Sequence, residues 1–441
     1  METPVSVGKR YIVDIVDLSS EGLGVGKVDG FTIFVRGALI GEKVEAVVLN
    51  VKKSYAEGEA INIIAKSYER VKPICPVEGC GGCQLMHLNY GGQLRYKVNK
   101  VKNVLSRIGK IDAKVNDIIG AERPLYYRNK AEFAVSWEDD RPIVGFRAPK
   151  SHDVVPVDAC YIQNAVVMDA VKAVKEFLVE FCNHEIKSVI TKISSLNGKV
   201  MIILETIGEN LSHSEQLISM LKRVECIDGV VLKWKYKKGR EKTRILYGTD
   251  KLVDKIGDLY FYVTPLSFFQ VNPEQTVKLY DKVMEYADLS GNEVVVDAYC
   301  GIGTIGLYLA RKAKKVYGIE IVEEAIEAAK KNADLNVINN ASFIAGKAEE
   351  ELKRLYNKGI VADVVVVDPP RKGCDSRLLG TLADMRPKRI VYVSCDPGTL
   401  ARDLRFLADN GFNVVEVQPV DMFPQTYHVE TVALLANVKN K

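Results

Sequence analysis

The chain has 441 residues, a formal net charge of +4, 47% hydrophobic and 27% charged residues. These proportions are ordinary for a globular protein of two to four domains. No apolar run reaches the length that spans a bilayer, and Met1-Glu-Thr-Pro-Val lacks the basic-then-apolar layout of a signal peptide. The expected compartment is therefore the cytoplasm, with no membrane contact and no obligate protein partner. A reducing compartment disfavours a disulfide framework, so the spacing of the nine cysteines is read as metal binding or catalysis.

Residues 1–66 carry short apolar runs (Tyr11-Ile-Val-Asp-Ile-Val, Phe31-Thr-Ile-Phe-Val, Lys43-Val-Glu-Ala-Val-Val-Leu) between closely spaced glycines, the pattern of a small OB-like β-barrel. A cysteine-rich loop follows over 67–92. Leu94, Val98, Val101, Leu105 and Ile108 then recur at helical spacing up to Gly109. Residues 120–265 mix strands with helical stretches near 164–182 and 212–223, an α+β region. From about 270, continuous apolar strands alternate with helices, which argues a parallel sheet covered on both faces. The domain boundaries expected are 1–66, 67–265 and 266–441, with residues 93–125 as candidates to pack on the last domain.

Two basic runs stand out. Lys97, Lys100, Lys102, Arg107 and Lys110 crowd one segment, and residues 233–244 interleave lysine and arginine with Trp234 and Tyr236. Such runs can track phosphates, and a solvated helix or hairpin face is the equal alternative.

The first strand of the α/β region enters Asp297-Ala-Tyr-Cys-Gly-Ile-Gly-Thr-Ile-Gly306, a G-x-G-x-x-G turn opening a helix. Glycines there allow close backbone approach to a nucleotide. Glu320 ends the next strand, nineteen residues after Gly301, where a carboxylate can accept ribose hydroxyls. The turn fits a dinucleotide or S-adenosylmethionine. Downstream motifs favour the second: Asp368-Pro-Pro-Arg follows a buried strand, and Ser394-Cys-Asp-Pro-Gly puts the Cys395 thiol on the same carboxyl edge of the sheet. Hydride transfer has no need of a thiol.

Methylating C5 of a uracil does need one. A thiolate added to C6 makes C5 enolate-like, and a base must afterwards remove the C5 proton. Cys395 supplies the thiol, and Glu430, in His428-Val-Glu-Thr, is a reasonable base. Taken singly, each has a bland alternative: a buried structural cysteine and a charge at a strand edge. His428 has no partner histidine nearby and reads as structural.

Cys75-Pro-Val-Glu-Gly-Cys-Gly-Gly-Cys83 gathers three thiols in one loop. A cubane cluster or a tetrahedral zinc needs a fourth ligand, for which Cys160 is the best candidate and His87 its rival.

Phe269-Gln-Val-Asn, Asp297-Ala-Tyr-Cys-Gly-Ile-Gly-Thr, Asp368-Pro-Pro-Arg-Lys-Gly, Val393-Ser-Cys-Asp-Pro and His428-Val-Glu-Thr, in that order, resemble the motifs of the RNA uracil-5-methyltransferase family, the TrmA and RumA type. The resemblance covers essentially the whole chain. It implies Cys395 as nucleophile and Glu430 as base. It also implies contacts to S-adenosylmethionine from Gln270, Tyr299, Glu320 and Asp368, with Thr304 a weaker candidate. It further implies a [4Fe-4S] cluster on Cys75, Cys80, Cys83 and Cys160, a TRAM-type RNA-binding barrel, and a Rossmann-like class I methyltransferase domain. The substrate implied is RNA, with 23S ribosomal RNA favoured and transfer RNA possible. One position departs from the pattern: Lys347, in Gly346-Lys-Ala-Glu349, stands where relatives often carry an acidic or amide residue, so it is left out of the cofactor set.

Three other readings fit less well. A radical S-adenosylmethionine enzyme would space its first two cysteines by three residues, and here the gap is four. A non-catalytic, redox-sensing RNA-binding protein leaves the ordered motifs unexplained. A dehydrogenase lacks a hydride-transfer site.

Overall fold

The structure, a computed structural model, describes residues 3–236 and 239–438. Six strands build the N-terminal unit: β1 (Arg10–Asp14), β2 (Asp17–Leu18), β3 (Gly24–Val28), β4 (Phe31–Arg36), β5 (Lys43–Val51) and β6 (Tyr55–Ala65). They pair in the order β1-β5-β6-β4-β3-β2, and Val16 N donates to Val25 O across the open side at 2.9 Å. Alternate residues such as Ile33, Val35, Val44, Ala46 and Val48 fill the interior, as the strand period of two requires. Two glycines are forced by this packing: a Cβ at Gly26 would lie 2.3 Å from Val13 Cγ1, and one at Gly58 2.6 Å from Val47 O.

The cysteine loop leads into α1 (Tyr90–Val104), capped by Asn89, whose side chain accepts from Gly92 N at 2.8 Å. After α1 comes the short β7 (Lys114–Val115). The central sheet then holds β8 (Lys130–Glu138), β9 (Arg141–Arg147), β10 (Val154–Pro156), β11 (Ile186–Ile193), β12 (Val200–Thr206), β13 (Ile227–Lys235) and β14 (Glu241–Gly248), in the order β10-β9-β8-β11-β12-β13-β14. Helices α2 (Ala165–Phe181) and α3 (Ser214–Leu221) cover one face of it. On the other face Ile190, Met201, Ile203 and Val231 join the core of the C-terminal domain, together with the hairpin β15 (Leu252–Ile256) and β16 (Leu259–Val263).

The C-terminal sheet runs through α4 (Pro273–Ala287), β17 (Val294–Ala298), α5 (Thr304–Ala310), β18 (Lys315–Glu320), α6 (Glu323–Leu335), β19 (Ala341–Ala345), α7 (Ala348–Asn357), β20 (Val364–Val367), α8 (Ser376–Met385), β21 (Arg389–Ser394), α9 (Pro397–Asp409), β22 (Phe412–Val420) and β23 (Glu430–Asn437). Its order is β19-β18-β17-β20-β21-β23-β22-β7. Seven strands share one direction, β23 runs antiparallel between β21 and β22, and β7 is added in parallel at the edge beside β22. Runs such as Val364-Val-Val-Val367 are buried throughout because helices cover both faces. Val101 of α1 and Leu105, just past its end, enter the same core as α9. No helix among the described residues is long and apolar enough to cross a membrane.

Candidate active site

In a parallel sheet the strand ends that share a direction open into one crevice. Here β17, β18, β20 and β21 deliver Tyr299, Glu320, Asp368 and Cys395 to it. Glu430 reaches the same place from the opposite direction. It opens β23, which pairs antiparallel with β21 so that Ser394 faces Thr431, and Thr431 Oγ1 donates to Ser394 O at 3.1 Å. One step past that register pair, Cys395 and Glu430 flank each other. Both line a cavity of about 1420 Å³, along with Gln270, Tyr299, Gly301, Glu320, Asp368, Arg371 and His428. That volume exceeds the usual range for one small ligand, and a nucleoside cofactor plus a flipped-out nucleotide would need it.

Local backbone chemistry sets each group. Tyr299 has φ +67°, Gly301 +54° and Gly303 +84°, so the chain reverses sharply between β17 and α5. A Cβ at Gly301 would meet nothing within 4 Å, leaving open room over the turn. Glu320 anchors that turn, accepting from Gly301 N at 3.2 Å and Val322 N at 3.0 Å. Asp396 caps α9 by accepting from Gly398 N at 2.8 Å and Thr399 N at 3.0 Å, which fixes Cys395 at the strand–helix junction.

The carboxyls are crowded and dry. Burial, reinforced by Asp368 and opposed by Arg371, pushes Glu430 up to about 8. Burial pushes Asp368 up to about 7. Beneath the glycine turn, burial raises Asp297 to about 8, and neither of its side-chain oxygens has a side-chain partner. Burial raises the Cys395 thiol to about 11, with Glu430 and Asp368 adding to the rise and Arg371 opposing it. His428 is pushed down to about 4 by burial and by Arg371 and Lys100.

Thr304 stands apart from the cavity, and its hydroxyl is engaged with that of Tyr280 at 2.8 Å. Lys347, left out of the expected cofactor set, does line the cavity. So do Arg128, Phe268, Arg402 and Phe406, which the sequence did not single out. Phe268 is 68% exposed and stands just before the Phe269-Gln-Val-Asn motif, a position that could have drawn notice. Lys97 fits neither reading of its run, phosphate tracking or a solvated face: it is fully buried, 2.5 Å from Asp421 Oδ1. Lys102, Arg107 and Lys110 are exposed. Of the second basic run, residues 237 and 238 lie outside the described residues. Within it Lys233 is paired with Glu205 and Glu241.

Cys75, Cys80, Cys83 and Cys160 line a second cavity of about 580 Å³. Arg128 and Gly82 line both cavities. Gly82 N donates to Cys80 Sγ at 3.4 Å. A Cβ at Gly81 would fall 2.7 Å from Arg147 O, so the loop passes too close to the central sheet for a side chain there. Burial, with Cys160, Cys80 and Cys75 nearby, pushes the Cys83 thiol up to about 12. His87 also lines this cavity, but its electrostatic neighbours are Arg70 and Glu42. Among the described residues no group of three or more His, Cys, Asp or Glu side chains has the spacing of a metal-ion site.

Residues 89–438 match the family model described as tRNA (Uracil-5-)-methyltransferase. The chain belongs to this family. It is an S-adenosylmethionine-dependent RNA (uracil-5-)-methyltransferase. Residues 4–61 match the TRAM domain, which is the β1–β6 unit. An uncharacterized RNA methyltransferase of Caldanaerobacter subterraneus subsp. tengcongensis is 49% identical over 98% of this chain and 99% of its own length. Another, from Clostridium tetani, is 46% identical over 100% and 99%. Among solved structures, the Pyrococcus abyssi tRNA (uracil-54, C5)-methyltransferase in complex with S-adenosyl-L-homocysteine is similar with a TM-score of 0.76. It is 28% identical and covers 97% of this chain and 100% of its own.

Proposed function

We propose that the enzyme methylates C5 of its uridine through a covalent bond between Cys395 and C6. The observation that carries this reading is the register of β21 and β23, which seats a thiol and a buried carboxylate side by side in the cavity that Gly301 of the glycine turn also lines. The Cys395 thiolate adds to C6, and the displaced electron pair makes C5 nucleophilic. S-adenosylmethionine, when bound, supplies the methyl group that C5 takes. The Glu430 carboxylate then accepts the C5 proton, the C5–C6 double bond re-forms, and the C6–S bond breaks to release the thiolate. Arg371 opposes the upward push on the thiol and so favours its reactive form. Burial of Glu430 gives it proton affinity near neutral pH, the range in which a base works best.

Gln270, Tyr299, Glu320 and Asp368 are the cofactor contacts, with Glu320 suited to the ribose hydroxyls. Thr304 supports the turn through Tyr280. We assign Cys75, Cys80, Cys83 and Cys160 to a [4Fe-4S] cluster. Four thiols around one cavity and an amide N–H aimed at Cys80 Sγ suit such a cluster. Its role is structural, because methyl transfer from a sulfonium consumes no electron. The RumA-type pattern points to 23S ribosomal RNA as the substrate. Transfer RNA is the second reading, favoured by the P. abyssi enzyme, which acts on tRNA and aligns along nearly the whole of this chain.

The test is incubation with deuterated-methyl S-adenosylmethionine and unmodified ribosomal or transfer RNA, reading nucleosides by mass spectrometry. Labelled 5-methyluridine in one RNA, absent with Cys395→Ala and Glu430→Gln, is the expected result. Labelled uridine at wild-type yield with either variant would reject the assigned roles.

A further inference from the structure

Five residues before Glu430, Gln425 holds φ +70°, a left-handed conformation that non-glycine residues adopt at a cost. The residue is buried and bonded at each polar atom. Gln93 of α1 accepts from Gln425 N at 2.9 Å, and its amide donates to Gln425 Oε1 at 3.0 Å. Gln425 O accepts from Leu85 N at 3.0 Å, and Gln425 Nε2 donates to Pro124 O at 3.4 Å. The Gln93 amide also donates to Leu88 O at 2.9 Å. Gln93 is itself 1% exposed, and Leu85 lies two residues past Cys83. Immediately after Gln425, Thr426, His428 and Glu430 all line the active-site cavity.

We infer that Gln93 is a positioning residue for the base. By clamping Gln425 in its left-handed turn it sets the path on which residues 426–430 enter the cavity, and it ties that path to the end of the cysteine loop. This rests on the assignment of Glu430 as the base. Its elements are far apart in sequence and none touches the reacting atoms. Their effect therefore falls on the geometry of proton removal, while uridine and cofactor binding stay as they are.

The experiment uses the full-length enzyme with its metal content matched to wild type, and compares Gln93→Leu with the double variant Gln93→Leu/Gln425→Gly. Gln93→Leu should lower kcat about tenfold, at unchanged KM for RNA and unchanged affinity for S-adenosylhomocysteine. Enzyme trapped on RNA as the covalent adduct should accumulate, because proton removal follows methylation. Glycine adopts the left-handed turn without strain, so the double variant should recover about threefold of that loss. Gln425→Ala and Gln425→Gly supply a comparison that leaves α1 intact: alanine should be the slower by about threefold. A Gln93→Leu enzyme with wild-type kcat, or one whose losses lie in KM and cofactor affinity, overturns the positioning role. So does a double variant slower than the single, or an equal effect of alanine and glycine at 425. Glu430→Gln and Cys395→Ala run in parallel separate the two levels. Both inactive with a normal Gln93→Leu removes only the positioning role, whereas turnover in either removes the reading beneath it.

Discussion

Replacing Lys97 by methionine should destabilise the enzyme severely without touching its RNA contacts. The ammonium lies 2.5 Å from Asp421 Oδ1, and both side chains have no exposed surface. It also donates to Phe423 O at 2.9 Å, while the Tyr90 hydroxyl donates to Asp421 Oδ2 at 2.8 Å. Burial pulls the ammonium toward its neutral form and Asp421 holds it charged. Methionine fills similar space but leaves Asp421 with one hydroxyl partner and no counter-charge. Breaking a buried pair from one side costs about 3–5 kcal/mol, which lowers the melting temperature of a domain this size by about 10 °C. The variant Lys97→Met/Asp421→Asn removes the stranded charge as well and should regain more than half of the loss. Thermal unfolding followed by circular dichroism measures all three proteins. In parallel, the salt dependence of RNA affinity should keep its wild-type slope in Lys97→Met, whereas Lys102→Ala, on the exposed face, should lower it by about one unit. A Lys97→Met protein that melts with wild type, or a double variant no more stable than Lys97→Met, would show that no buried charge is stranded.

Asp368 sits near its titration point at about 7, so affinity for the cationic S-adenosylmethionine should rise about tenfold between pH 6 and pH 8. Uncharged S-adenosylhomocysteine should respond far less in the same calorimetry, and equal responses would remove Asp368 from the sulfonium. Glu430 is raised from 4.5 to about 8, so the folded state holds its proton more tightly than the unfolded chain does. The stability this gives is complete below the unfolded value and lost as pH rises through the folded one. Glu430→Gln, inactive, should therefore gain about 4 kcal/mol over wild type at pH 9 and about 1 kcal/mol or less at pH 5, measured by denaturant midpoints. Cys83→Ala should lose bound iron and sulfide by elemental assay and melt earlier while still binding S-adenosylhomocysteine. Full iron content would exclude Cys83 as a ligand.

The parts of the site legible in the sequence are those in which one short segment fixes its own geometry. The glycine turn at 301–306, the Asp368-Pro-Pro-Arg exit and the Ser394-Cys-Asp-Pro junction each encode a strand end, a reversal and a helix start. Their places on the carboxyl edge of a parallel sheet follow from that. Glu430 was harder. Its spacing alone suits a strand-edge surface charge, and only the insertion of β23 between β21 and β22 makes it a buried neighbour of Cys395. Lys97 was unreadable for a similar reason. It sits among lysines on a helix with an apolar stripe, and its partner is 324 residues away. The segment at 346–349 shows the converse limit: the residue type at Lys347 argued against a role, yet Lys347 lines the cavity.

Both Lys97 and Gln93 belong to a helix that precedes the central sheet in the chain, yet both act on residues 421–425, just ahead of the last strand. Lys100 continues the pattern, donating to Tyr427 O at 3.0 Å, and Tyr127 donates to Pro424 O at 3.1 Å. The segment that carries Glu430 has bonds of its own at Thr426, and it is held besides by residues 85–127 and by α4, where Asn272 Nδ2 donates to Met422 O at 3.2 Å and Gln275 Nε2 to Asp421 O at 3.1 Å. Contacts of such large sequence separation form late, because the intervening chain must first be organised. The turn at Gln425 can close only on an assembled α1 and cysteine loop, so the base should reach its place after the cysteine cavity has formed. Damage to that loop would then appear first as a misplaced carboxylate. The glycine turn and Glu320 take their hydrogen bonds from residues 301, 322 and 332 of the same domain and would remain able to hold the cofactor.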